Sequence, residues 1–176
     1  MFRLTTLTLT TMALLSLAVA LPAGDAVAQQ KQQASFKASA ENSKFGQQLS
    51  IDVGDVPNHI VRIFEVHRTY PNDAPVINGL KLVEEWDRGI ADLIGGNGSS
   101  TQHCVYVMEN GDRFFARTVN VVQTTSGKLN ATVVGHITGG TGKLAGMQGV
   151  VRASTNFDPK TGFNEGQTDI EYSIGK

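Results

Sequence analysis

The 176-residue chain has one cysteine, Cys104, one tryptophan, five prolines and a charged fraction of only 18%. A single cysteine excludes an intramolecular disulfide and any zinc centre built on several thiolates. Fifteen Lys+Arg against sixteen Asp+Glu leave a net charge of −1. That balance gives no electrostatic ground for nucleic acid or an anionic membrane surface as partner. Long apolar runs are scarce. The clearest, Met12 to Leu21, is interrupted by Ser16 and falls short of the roughly 20 residues a membrane-spanning helix needs. From His59 onward no apolar stripe of helical period is present, which argues against a helical bundle or an α/β fold. Glycine, in contrast, is abundant, at 19 residues, about 11% against a usual share of roughly 7%. The composition is that of many turns between short strands.

The first 28 residues read as an export signal rather than as fold. Arg3 supplies the positive start, the Met12–Leu21 run the apolar centre, and Ala26-Val27-Ala28 a small-x-small cleavage site. Ala18-Val19-Ala20 offers a second one. The expected location is therefore secreted or periplasmic, and in such an oxidising setting a lone cysteine reads first as a small buried hydrophobe. Residues 29–58, opening on Gln29, Gln30, Gln32 and Gln33, read as a polar N-terminal arm. Residues 59–176 read as one domain.

Within that domain the sequence predicts strands over 59–70, 80–87, 89–94, 102–108, 113–123, 132–138, 149–157 and 168–174, with a loop over 95–100. Asn110-Gly111 between two β-rich runs is a hairpin signal, since a type I′ turn needs positive φ at both central residues. Seven or eight closely spaced strands without crossover helices imply an all-β antiparallel fold. A small β-barrel is preferred over a sandwich, because closure removes exposed edges. Six glycines between Gly135 and Gly149 include Gly140-Thr141-Gly142-Lys143. A phosphate-binding loop is excluded there, because Ile137 and Leu144 stand where that motif needs Gly and Ser or Thr. The cluster reads as a tight turn at a barrel corner.

Strand alternation nominates candidate site residues. A two-residue Asn110-Gly111 turn would pair Tyr106 with Phe115 and Cys104 with Arg117 on one face, and Val105 with Ala116 on the other. The first face has the mixed character of a pocket wall, but the hairpin alone does not say which face is interior. In the first strand Glu65 and His67 share a face with Val61 and Ile63, while Arg62, Phe64, Val66 and Arg68 share the other. A carboxylate beside an imidazole is suited to joint acid–base work; the alternative is a solvated rim.

Residues 137–149, Ile-Thr-Gly-Gly-Thr-Gly-Lys-Leu-Ala-Gly-Met-Gln-Gly, resemble the glycine segment of the allene oxide cyclase family, whose fold is related to that of dirigent proteins. Ile63-Phe64-Glu65-Val66-His67 is similar to the strand that carries that family's catalytic glutamate. Cys104-Val105 stands where the family has a cysteine-valine pair. The resemblance implies Glu65 as catalytic carboxylate, His67 in place of an oxygen-binding asparagine, and Cys104 as a pocket residue. It also implies Pro75 near a pocket proline and Asp87 near a second pocket asparagine. Tyr106, Phe115 and Arg117 complete the expected substrate-binding set. The implied function is a cofactor-independent and metal-free isomerase or cyclase acting on a small, apolar, unsaturated substrate, in a homotrimer. The alternative is a non-catalytic barrel that binds or orients a small apolar or phenolic ligand. His67 and Asp87 depart from the family pattern, since an ionised aspartate cannot donate a hydrogen bond as an asparagine does.

Overall fold

The computed structural model of the chain describes residues 30–175; the expected signal segment, 1–28, lies outside them. The strands are β1 (Gln32–Ala38), β2 (Ser43–Asp52), β3 (His59–Thr69), β4 (Val76–Ile77), β5 (Leu80–Ile94), β6 (Asn97–Met108), β7 (Arg113–Thr125), β8 (Lys128–Gly140), β9 (Met147–Asp158) and β10 (Phe163–Ile174). All pair antiparallel in one ten-stranded sheet of order β1-β10-β9-β8-β7-β6-β5-β3-β2, with β4 paired only to β5. No helix among the described residues is long and apolar enough to cross a membrane.

The all-β antiparallel expectation holds in this coarse form, but the sheet is not a closed barrel of seven or eight strands. The stretch 29–58, read as a polar arm, supplies β1 and β2, the two ends of the strand order. No hydrogen-bonded ladder joins β2 to β1 or β10 among the described residues. β1 covers β10 only from Gly166 to Tyr172, leaving Phe163–Glu165 without a partner on that side. The sheet is nevertheless strongly curled. Arg68 on β3 donates from Nη2 to Asn164 Oδ1 on β10 at 3.0 Å, across strands that lie far apart in the order.

Tight turns make the meander possible. Gly95 and Gly96 both have positive φ, 58° and 82°, and form the two-residue turn joining β5 to β6, with Ile94 opposite Asn97. The six-residue loop expected over 95–100 is thus two residues long. Gly142–Leu144 forms a 3₁₀ turn whose Lys143 amide donates to Asp112 Oδ2 at 2.9 Å. The loop amide is already answered by a carboxylate, in keeping with a structural turn.

The curled sheet encloses two apolar clusters. Leu82, Met108, Phe114, Leu144, Met147 and Tyr172 belong to the larger, which plugs one end. Ala91, Leu93, Val122, Ala131 and Val133 form the smaller, with Phe64 and Phe157 packed against it. Between these layers runs a buried polar belt that includes Arg68, Glu85, Asp87, Thr118 and Asn120.

Candidate functional site

Two irregularities decide which side chains enter the interior. In β5 the pairing with β6 slips between Leu82 and Glu84, so Val83 is an extra residue. Leu80 and Leu82 point inward before the bulge, Glu85 and Asp87 after it. The second lies in the β6–β7 hairpin. Gly111 has φ of 86° and its N–H bonds Met108 O at 2.9 Å, while Asn110 keeps negative φ. The connection is a three-residue loop with a left-handed glycine rather than a two-residue type I′ turn. The register therefore moves by one residue. Tyr106 faces Phe114 and Cys104 faces Ala116, with the Tyr106 and Phe114 rings stacked at 4.2 Å. Phe115 turns to the outer face and Arg117 to solvent. These two predicted pocket residues are corrected accordingly.

Glu65 and His67 also lie on the outer face, because β3 turns its even-numbered residues inward. Glu65 Oε2 accepts from Arg88 Nε at 2.7 Å. His67 stacks on Trp86 at 3.8 Å, and Arg88 lies 4.9 Å above the same indole. Trp86 in turn donates to Glu84 at 3.0 Å. The expected catalytic pair thus belongs to a surface stack of charges and rings. Pro75 lies outside the cavity, in the segment before β4, where its carbonyl accepts from Leu82 N–H at 2.9 Å.

Asp87, Cys104 and Tyr106 do line the interior cavity, of about 80 Å³. They are joined by residues the sequence reading did not nominate. Arg68 Nη1 donates to Glu85 Oε1 at 2.9 Å and also to Asp87 Oδ2. Tyr70 donates its hydroxyl to Glu85 Oε2. Asp87 Oδ1 and Arg68 Nε are buried without a hydrogen-bond partner. On the neighbouring strands, Thr118 donates to Asn120, whose amide donates to Ser100 and Gln102 at 2.9 and 3.2 Å. Apolar walls of Phe64, Leu93, Val122 and Val133 complete the cavity.

One guanidinium thus faces two carboxylates in a dry environment. Burial, reinforced by the Asp87 charge, pushes the Glu85 carboxyl up to about 7 against the pull of Arg68. Burial opposes the charge on Arg68, but Glu85 and Asp87 outweigh it and hold the guanidinium firmly protonated. The Cys104 thiol is pushed well above its ordinary range, by burial first and then by Asp87. It is a neutral wall residue rather than a nucleophile.

Arg68 carried a signal in the sequence. It lies at the inner end of a face shared with Ile60, Arg62, Phe64 and Val66, directly after Val66 on that face, and a charge beside apolar residues there needs a buried partner. Glu85 carried none, because nothing in the sequence announces the Val83 bulge.

No known family model and no curated protein matches the chain. Among solved structures it is similar to a protein of unknown function from the DUF3224 family of Shewanella oneidensis MR-1, with 12% identity and a TM-score of 0.44, over 82% of this chain and 100% of that one.

Proposed function

We propose that the protein binds a small, largely apolar ligand in the interior of the curled sheet, without chemistry of its own. The observation that carries this reading is the cavity itself, apolar at its walls with a few convergent polar groups at one side, the usual make-up of a ligand site. The cyclase reading needs an anionic group close to positive charge developing on the substrate. In this chain Glu65 faces away from the cavity and is neutralised by Arg88, which favours binding over cyclisation. The volume of about 80 Å³ is smaller than the roughly 150 Å³ that holds a benzene molecule. The favoured ligand is therefore slender rather than ring-shaped. Half-exposed Phe45 and exposed Gln48 of β2, together with Asn164 in the stretch of β10 that β1 leaves unpaired, border the cavity. Entry is through the unpaired seam between these strands.

Native mass spectrometry of the purified protein tests the reading. A co-purified small molecule should be present in the parent chain and in Glu65→Gln, and lost from Ala153→Leu, which fills the cavity wall. Retention in Ala153→Leu, or loss in Glu65→Gln, would refute it.

The homotrimer is likewise a proposal. It is supported by a cross-strand row on the outer face, Leu49-Ile63-Ile90-Thr101-Val119-Val134, in which the five apolar members are each more than half exposed. Sedimentation equilibrium returning the monomer mass at all concentrations would contradict it.

A further inference from the structure

We infer that the polar side of the cavity is a receptor for a primary ammonium head on a short aliphatic tail, with Asp87 as the accepting group; the inference rests on the binding reading above. Asp87 is 2% exposed and lines the cavity, and its Oδ1 has no hydrogen-bond partner. A buried carboxylate oxygen left in that state costs free energy that a ligand donor recovers.

The surrounding charges select the sign of the donor. Arg68 is shared between Glu85, Asp87 and Asn164, so its one positive charge serves two carboxylates. Above the Glu85 titration near 7, when both acids are ionised, the Arg68–Glu85–Asp87 cluster carries one excess negative charge, and a cation beside Asp87 completes it. A carboxylate head would instead bring a third anion into the same dry space. Its attractions are the unpartnered Arg68 Nε, on a guanidinium already held by three acceptors, and Arg62, which lines the cavity but donates to Ser50 at its exposed end. A neutral hydroxyl can donate to Oδ1 but supplies no charge.

The tail is set by the walls. Leu93, Val122 and Val133 supply aliphatic side chains to the wall, and Phe64 an aromatic one. Scaled from the roughly 150 Å³ that holds the six carbons of benzene, the cavity takes about three heavy atoms, and a longer tail extends toward the open seam beside β2. An ammonium group with a linear C3–C4 chain fits both halves of the site.

Three probes of similar length test this on the intact chain: n-butylamine, 1-butanol and butyrate, each titrated calorimetrically at a pH well above the Glu85 titration near 7, with xenon as an apolar probe of the same cavity. The inference predicts that butylamine binds about tenfold or more tightly than butyrate, with butanol between them, the scale of one charge-assisted hydrogen bond. Asp87→Asn, which keeps the shape and leaves Arg68 bonded to Glu85, should weaken butylamine by about tenfold or more and leave xenon uptake unchanged. Should Asp87→Asn fail to fold, the order among the three probes on the parent chain still decides. Equal or tighter binding of butyrate, or butylamine binding unchanged in Asp87→Asn, would overturn the ammonium assignment while leaving the cavity reading intact. Exclusion of xenon together with all three probes would overturn both.

Discussion

Leu82 and Glu85 point into the same interior although they are three residues apart on one strand, where strict alternation would send them to opposite faces. The extra residue Val83 reconciles them. Its carbonyl accepts the Tyr70 amide at 3.1 Å, so the bulge is held by the end of β3, the strand that also brings Arg68 to Glu85. Deleting Val83 restores alternation and forces either Leu80 and Leu82 or Glu85 and Asp87 outward. Each leucine is worth roughly 1.5–3 kcal/mol of burial, and stripping Arg68 of its partners costs a similar sum. The Val83 deletion should therefore show no cooperative unfolding transition by circular dichroism.

Arg68 holds two buried carboxylates and cannot be removed alone. Arg68→Met should destabilise the fold by about 3–5 kcal/mol in urea titration, because it leaves Glu85 and Asp87 facing each other without a counter-charge. The triple variant Arg68→Met, Glu85→Gln, Asp87→Asn should recover much of that loss. A triple variant no more stable than Arg68→Met would show that the ion network is not the source of the effect.

Stability should also depend on the protonation of Glu85. Its carboxyl titrates near 4.5 in the unfolded chain and near 7 in the fold. Between these values the folded chain holds a proton that the unfolded chain has released, so stability falls as pH rises through this window and levels off above it. The groups facing Glu85 are Arg68 and Asp87, the Tyr70 and Tyr106 hydroxyls and the Cys104 thiol. Thermal melting of Glu85→Gln against the parent chain isolates the contribution. The difference in Tm between the two should grow from pH 5 to pH 7, in favour of the variant. A constant difference across that range would contradict the assignment.

A second titration closes the segment before β3. His59 bonds Asp92 through Nε2 at 2.7 Å and Asp55 through Nδ1 at 2.6 Å. Both ring nitrogens donate only in the imidazolium form. The Asp92 and Asp55 carboxylates raise the His59 pKa above its usual value of 6.5. The clasp is complete below that value and is released as pH rises through the raised one. Amide exchange at Val53, which donates to His59 O at 3.0 Å, should quicken across that rise beyond the intrinsic pH dependence. His59→Gln should remove the step.

Much of the sheet was readable from alternation and turn chemistry. The expected runs 59–70, 113–123 and 168–174 fall on β3, β7 and the second half of β10, and Asn110-Gly111 marks a hairpin correctly placed though wrongly typed. β2 escaped because an end strand with most of its residues exposed shows no burial pattern. The site was readable only where register was unbroken. Simple alternation in β6 puts Cys104 and Tyr106 on one face, and the resemblance at Cys104 pointed that face inward, whereas Phe115 and Arg117 were misassigned by a single residue of turn length. Glu65 was nominated by its place beside His67 on one strand face and by resemblance, and the parity of β3 sends that face outward. Asp87 was nominated by the same resemblance, and it faces inward only because the Val83 bulge resets the parity of β5.

The central claim is that the interior between the two apolar clusters is an accessible ligand site. Amide chemical-shift mapping of the chain under xenon pressure tests it most directly. The account predicts shifts that saturate and cluster at Leu93, Cys104, Val122, Val133 and Ala153, around the cavity wall. Shifts confined to the outer row at Ile63, Ile90 and Val119, or no saturable shift at all, would contradict it.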